Sequence, residues 1–382
     1  MTETVKGFND YTGQEALKRE AIREILVRNF RLYGFEPAET PVLEYEEFVK
    51  GNNPNDEAIS DIYRLQDRAQ RKLALRYEFT FQLKRISQNK KMPYKRFQIG
   101  YVFRDEPTSS NRFRQFTQCD VDVVGSSLKE EAEIFALISR IFKELKIDAT
   151  INVNNRKLLN EILEKEGIGQ KEEVIREIDK LDKLDEKDIK ENLKKYKAEK
   201  VLAIFKKPAS FFKKYDSYKE IEELINLCKS YGVKLNFQPT LARGLSYYNG
   251  TIIEAKTKQF KETIAAGGAY PVNGIQSFGF SFGLERISQL AKIDSSGKAA
   301  MIISIGKDKE AIESAEKLRD NGVSCMVMFK VSKALEYANA NGVPYAIFLG
   351  EEEARKKKLK LRDMKSGKEE LLSLKYLIKK LR

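Results

Sequence analysis

The chain has 382 residues, of which 33% are charged, with a formal net charge of +13 and a pI near 9.3. That length accommodates two or three domains, and the basic excess points first to a nucleic acid and second to an anionic membrane, although Lys-rich composition is also a general solubility or thermal signature. Histidine and tryptophan are absent; the first absence excludes imidazole acid–base catalysis, Ser-His-Asp and Cys-His nucleophile systems and His-ligated metal sites. No run approaches transmembrane length and the opening Met-Thr-Glu-Thr-Val-Lys has no apolar signal core, so a cytoplasmic protein is expected. Cys119, Cys228 and Cys325 are isolated and read as reduced thiols packed as small hydrophobes.

In chain order, Leu17, Ala21, Ile22, Ile25, Leu26 and Phe30 recur at helical spacing over residues 13–33, and Gly34 stops that helix. Phe35 to Val42 reads as extended, with Pro41 at an edge or strand end. Asp61 to Leu65 and Lys72 to Arg76 read as paired short strands, followed by an extended stretch in which Glu78 and Thr80 share a face. Helix resumes near Phe81.

Residues 94–124 alternate strictly on two arms and predict two strands joined by a long loop. On the first arm Phe97, Ile99, Tyr101 and Phe103 share one face, and Gln98, Gly100, Val102 and Arg104 the other. On the second, Arg114, Phe116, Gln118, Asp120 and Asp122 lie together. An arginine and carboxylates on one sheet face need a ligand, or each other, to offset their desolvation. A solvated face of a one-sided antiparallel sheet accounts for the alternation alone equally well.

Residues 128–146 predict an amphipathic helix, and from about Asn155 to Tyr231 the composition turns Lys/Glu-rich and helical, as in an insertion whose lysines form solvated faces. Sheet sequence returns at Val233 through Thr251 to Ala255 and Ile264 to Tyr270. Phe278 to Arg286 then runs from a strand into a helix with Arg286 in its first turn. A cation gains nothing from the dipole there, whereas an anion bound beside the helix start would fix it. After the linker around Ile293-Asp-Ser-Ser-Gly-Lys, Met301 to Ser304, Ser324 to Phe329 and Tyr345 to Leu349 alternate with helical stretches, predicting a small α/β domain with a mostly parallel sheet. Its basic runs, Arg355-Lys-Lys-Lys and Lys379-Lys-Leu-Arg, are modest support for RNA contact.

Three segments in this order, a helix-led entry ending at Pro41, the strand pair with Phe103-Arg104, and Gly-Leu-Glu-Arg opening a helix, resemble the three signature motifs of class II aminoacyl-tRNA synthetases. Leu241-Ala-Arg-Gly-Leu-Ser-Tyr-Tyr and Ala266-Gly-Gly-Ala-Tyr are similar to the two segments peculiar to the histidyl-tRNA synthetase family, as is Gln115-Phe-Thr-Gln-Cys-Asp-Val-Asp to its second-motif strand. The resemblance implies an α+β fold, a class II antiparallel sheet flanked by helices. Its catalytic domain would occupy 1–154 and 232–294, its helical insertion 155–231, and a C-terminal α/β anticodon-binding domain 298–382.

The implied reaction is attack of the histidine carboxylate on the α-phosphorus of ATP, then transfer of the acyl group to the terminal ribose of the histidine tRNA. By resemblance, Arg104 holds the α-phosphate, Arg286 the γ-phosphate, and Arg243 the charge that builds between α-phosphate and substrate carboxylate. Arg112 and Arg114 are candidates to touch ATP or tRNA. Glu78, Thr80 and Gln118 would receive the substrate ammonium group, Asp122 and Tyr248 would bracket the imidazole, and Gly267 and Gly268 would admit close backbone. Mg²⁺ would bridge the phosphates through Asp/Glu and water, on ligands the sequence does not name. A homodimer built on the first motif is also implied, and no membrane partner.

The chain departs from the family at Ser246, where Asp is usual, and at Ala269-Tyr-Pro271, where Arg-Tyr-Asp is usual, so a pocket-wall Arg/Asp pair is missing. A competing reading is a catalytically silent, histidine-sensing paralogue that regulates ATP phosphoribosyltransferase. Such a paralogue typically lacks the anticodon domain and the Arg243 equivalent, and both are present here. A third reading keeps the fold and RNA binding without the chemistry.

Overall fold

A computed structural model of the chain describes residues 2–51, 57–182, 184–242, 247–293 and 300–382. The chain divides into two compact units, one of residues 1–10 and 22–292, the other of 11–21 and 293–382.

In the larger unit an eight-stranded sheet is built from β1 (Glu36–Pro37), β2 (Tyr94–Phe103), β3 (Gln115–Val124), β4 (Thr150–Asn155), β5 (Asn236–Phe237), β6 (Thr251–Thr257), β7 (Phe260–Val272) and β8 (Ile275–Gly283). Its order is β1-β2-β3-β8-β7-β6-β4-β5, antiparallel except for the two edge pairs, β1 with β2 and β4 with β5. Helix α1 (Gly13–Leu32) carries Ile22, Leu26 and Phe30, fully buried, and ends where Gly34 takes a positive φ of 78° that a side chain would resist. Helix α2 (Leu128–Glu144) starts in a capping box between Ser127 and Glu130 and lays Phe135 against Phe278 and Phe142 against Phe282. Because side chains alternate along a strand, Phe278 and Phe282 on the helix face leave Ser277, Gly279 and Ser281 on the opposite face.

The register carries that second face across the sheet. Gly279 pairs with Asp122, and Asp122 with Arg96; Ser281 pairs with Asp120, and Asp120 with Gln98; Gly268 pairs with Gly279. One polar face therefore spans strands distant in sequence, while the other is buried under α2.

The paired short strands form at Arg64–Gln66 and Lys72–Leu75, joined by Leu43–Tyr45 in a three-stranded sheet. Within the Phe35 to Val42 stretch, Glu36–Pro37 is a strand and no helix crosses the rest. One expectation is corrected: Glu78 to Thr80 is not extended, since Phe79 has helical backbone angles and a helix covers Thr80–Ile86. Burial explains this: Phe79 and Leu83 are wholly enclosed, and packing overrides the extended preference of Tyr-Glu-Phe-Thr-Phe.

Among the described residues of 156–230, short helices from Arg156–Lys165 to Tyr218–Ser230 hold a substantial core, with Leu158, Leu159, Ile162, Val174, Ile175, Ile189 and Phe212 enclosed. That core is continuous with Tyr248, Ile252, Tyr270 and Val272 of the sheet. Its lysines form exposed pairs such as Lys165–Glu161 at 2.8 Å and Lys171–Glu164 at 2.9 Å, the solvated faces expected.

In the smaller unit the strands Ala300–Ser304, Cys325–Met328 and Tyr345–Leu349 pair in parallel. Antiparallel strands Leu359–Asp363 and Glu369–Leu372 complete a five-stranded sheet, so it is mixed rather than mostly parallel. The Asp363 carboxylate accepts from the Lys365 and Ser366 amides and Gly367 sits at φ 71°, which turns the chain between those two strands. Among the described residues no helix is long and apolar enough to cross a membrane.

Candidate active site

The sheet's polar face bears two distinct environments. At one end, arginines converge. Arg104 follows β2, where its Nε donates to the Tyr77 carbonyl (3.2 Å) and its guanidinium lies 5.1 Å from the Phe116 ring centre. Arg286 sits in the short helix Leu284–Leu290, where its Nη1 donates to the Thr263 carbonyl at 2.6 Å. A register shift in β7 between Phe260 and Ala265 frees that carbonyl from the ladder. Burial pulls the Arg286 guanidinium below its ordinary value; Glu262 opposes this, while Arg112 and Arg104 add to it. Three guanidinium groups whose fields meet at Arg286 make a site suited to a polyanion. Arg112 pairs with the buried Glu106 carboxylate, and Arg114 with Asp105 at 3.2 Å. Next to Arg286, both Glu285 carboxylate oxygens accept from the Thr117 amide at 3.0 Å, tying the short helix to β3.

At the other end lies a buried pocket of acceptors and tyrosines. Gln118 Nε2 donates to Ser281 Oγ (3.2 Å), leaving its buried Oε1 without a hydrogen-bond partner. The Asp122 carboxylate accepts from the Tyr270 hydroxyl and pairs with Arg96 at 2.8 Å. Tyr270 reaches Asp122 across β8 because Gly279 stands between them: a Cβ there would lie 2.1 Å from Asp122 Oδ1 and 3.0 Å from Tyr270 Oη. The rings of Tyr247, Tyr248 and Tyr270 cluster with centres 4.9 to 6.4 Å apart, and Glu78, itself buried, adds its charge to the burial that raises the Tyr247 hydroxyl. Thr80, half-buried, opens the helix two residues on.

Gly267 and Gly268 meet protein on the side where a Cβ would stand. At Gly267 it would lie 2.0 Å from the Gly279 carbonyl oxygen, and at Gly268 2.7 Å from both the Tyr248 ring and the Thr251 carbonyl oxygen. Ala269 is buried and points toward Gly250, away from the face bearing Tyr270, so that departure does not open the Asp122 pocket. Pro271, exposed near the end of β7, is likewise remote from Asp122 in register. Arg243 and Ser246 lie outside the described residues. The structure thus places Gln118, Asp122 and Gly268 on one sheet face with Tyr248 against Gly268, leaves Gly267 on the opposite face by strand parity, brings Glu78 to the tyrosine wall, and collects Arg104, Arg112 and Arg286 at the anion end.

Sequence reasoning missed Arg96, Tyr270 and Glu285. Arg96 shares strand parity with Gln98 and Arg104, a signal that was available. The reach of Tyr270 over Gly279 depends on the β7–β8–β3 register and had no local signal.

Among the described residues no three His, Cys, Asp or Glu side chains gather as a metal site.

The chain matches the family model of histidyl-tRNA synthetase over residues 7–287 and that of the anticodon binding domain over 299–382. It is 35% identical to histidine–tRNA ligase 1 of Bacillus cereus, covering 96% of each chain, and 31% identical to the histidine–tRNA ligase of Helicobacter pylori, covering 96% of this chain and 94% of that one. The crystal structure of histidyl-tRNA synthetase from Nostoc sp. superposes at TM-score 0.86 with 25% identity over 100% of this chain and 99% of that one. A structure from Bacillus halodurans, titled as an ATP phosphoribosyltransferase regulatory subunit/histidyl-tRNA synthetase, shares the fold at TM-score 0.73 and 20% identity, over 89% of this chain and 96% of that one. Matched by that family's model across most of its length, the chain belongs to the histidyl-tRNA synthetase family of aminoacyl-tRNA ligases.

Proposed function

We propose that the protein activates histidine with ATP and transfers it to the histidine tRNA. The observation that carries this reading is the pairing, on one sheet face, of the Arg104–Arg112–Arg286 cluster with the buried acceptor pocket of Gln118 and Asp122. A carboxylate is already a nucleophile, so the first step needs alignment and charge neutralisation rather than a protein base. One histidine carboxylate oxygen bonds to the α-phosphorus as its bond to the bridging oxygen breaks, and pyrophosphate departs with that electron pair. Arg104 would hold the α-phosphate and Arg286 the γ-phosphate, each offering a planar fork of donors. Arg243 would meet the charge that builds between them. Glu78, Thr80 and the unpartnered Gln118 Oε1 suit the substrate ammonium group, while Asp122 and Tyr248 suit opposite edges of the imidazole. Apolar amino acids of similar size would leave those groups unpaired and be rejected. Mg²⁺, when bound, neutralises phosphate charge; Glu262, whose charge acts on Arg286, is the nearby carboxylate suited to hold it through water.

A homodimer fits this reading. Leu43, Tyr45 and Leu65 on the small sheet are 44%, 56% and 44% exposed, an apolar patch of the kind that a partner covers. Cytoplasmic location follows from the substrates. Histidine-dependent ATP–pyrophosphate exchange by the purified chain tests the proposal, and absence of exchange with ATP, Mg²⁺ and histidine overturns it. The same assay separates the enzyme from a silent histidine-sensing paralogue regulating ATP phosphoribosyltransferase, a reading that the Bacillus halodurans likeness raises and the segment at 299–382 opposes.

A further inference from the structure

Arg96 is fully buried in β2, on the face that holds the histidine-pocket residues. Its Nη2 lies 2.8 Å from Asp122 Oδ2, its Cζ stands 6.0 Å from the Phe79 ring centre, and none of its guanidinium nitrogens makes a well-aligned hydrogen bond. Asp120, two residues from Asp122 on the same face, is also buried; it bonds Ser281, and its Oδ1 has no hydrogen-bond partner. Among the described residues, Arg104 and Asp122 also act on Asp120, as does Arg76, whose guanidinium lies over Gly100. Two buried carboxylates thus both face the buried Arg96 guanidinium, and Arg76, also buried, acts on Asp120.

Charges enclosed this way persist only when matched. Burial raises both carboxyls and Arg96 opposes the rise in each, pushing Asp120 up to about 7; of the two, Asp122 is the one in direct contact with Arg96 and the Tyr270 hydroxyl. Asp122 is the group assigned above to accept from the imidazole N–H, and a protonated or rotated Asp122 could not serve that purpose. Tyr270 fixes one of its oxygens and Arg96 the other.

We propose that Arg96 is a positioning residue for histidine recognition, pairing with one oxygen of Asp122 so that the carboxylate is held oriented toward the substrate imidazole. This rests on Asp122 being the imidazole acceptor, not on the protein being catalytically active.

The test is calorimetric titration of L-histidine and, separately, of ATP into the full-length protein, its Arg96→Met, Arg96→Lys and Asp122→Asn variants, and the Arg96→Met/Asp122→Asn double variant, with folding followed by circular dichroism. Arg96→Met is expected to weaken histidine binding about thirtyfold or more, the range for truncating one partner of a buried charge pair, with ATP affinity unchanged. Arg96→Lys, which keeps the charge but reaches one carboxylate, restores most of it. In the Asp122→Asn background Arg96→Met has little further effect. Equal weakening of histidine and ATP binding, or losses that add independently in the double variant, overturns the proposal. If Arg96→Met does not fold, Arg96→Lys decides: histidine binding weakened about threefold or more, with ATP binding kept, supports the role, and wild-type binding overturns it. Wild-type protein that binds histidine but catalyses no pyrophosphate exchange refutes the enzyme reading alone and leaves the Arg96 comparison intact.

Discussion

Glu131 gives a quantitative test of how the sheet unit is balanced. It lies in α2 beneath the sheet, 4% exposed, and its Oε2 has no hydrogen-bond partner. Burial pushes its carboxyl up to about 7, with Thr251 and Lys157 pulling down and Glu220 and Glu130 pushing up. Between the ordinary value of 4.5 and about 7 the unfolded chain gives up this proton while the folded chain keeps it. The folded state binds more protons, so stability falls as pH rises through that window and levels off above it. At about 1.4 kcal/mol per pKa unit, the ceiling on this loss is about 3 kcal/mol. Glu131→Gln keeps the shape without the charge. The variant is expected to unfold at close to the wild-type urea midpoint at pH 5 and at a clearly higher one at pH 8.5, followed by circular dichroism. Asp120 and Asp122 are raised in the same sense, so the wild-type curve alone carries all three groups, and the difference between variant and wild type isolates Glu131. A gap that is the same at both pH values, or a variant less stable at pH 8.5, refutes the reasoning.

Gly279→Ala should drive a methyl group into Asp122 Oδ1, costing about 1–3 kcal/mol of stability and at least tenfold in histidine affinity; urea unfolding and histidine titration measure the two. Arg243→Ala should lower kcat in pyrophosphate exchange by about 10²–10³-fold with histidine binding largely kept, and a large binding loss at unchanged rate would contradict its role. Arg286→Ala should raise the KM for ATP by about tenfold or more, with histidine affinity unchanged by direct titration.

Much of this was legible in sequence because the polar face is written in strand parity. Gln118 and Asp122 alternate with Cys119, Val121 and Val123, which are fully buried on the α2 side. What parity could not supply is register: that Gly279 sits between Tyr270 and Asp122, or that Thr117 meets Glu285, depends on how β3, β7 and β8 slide past one another. Glu78 to Thr80 misled because its aromatic and β-branched residues favour extended backbone, while enclosure of Phe79 and Leu83 selects a helical turn. The last strands of the smaller unit were hidden by their lysines: Leu359 and Leu361 point inward between Lys360 and Arg362, a two-residue alternation inside what reads as a basic tail. The roles of Arg104, Arg286 and Gln118 came from family position, and no local pattern would have supplied them.

The helical stretch of residues 156–230 shares one continuous apolar core with Tyr248 and Tyr270. It therefore acts as the abutment against which the two rings lean. Trimming or loosening this stretch would withdraw support from Tyr248 and Tyr270 while the strand pairing of the sheet stayed in place, so substitutions at Leu158, Phe205 or Phe212 could shift the two rings from behind.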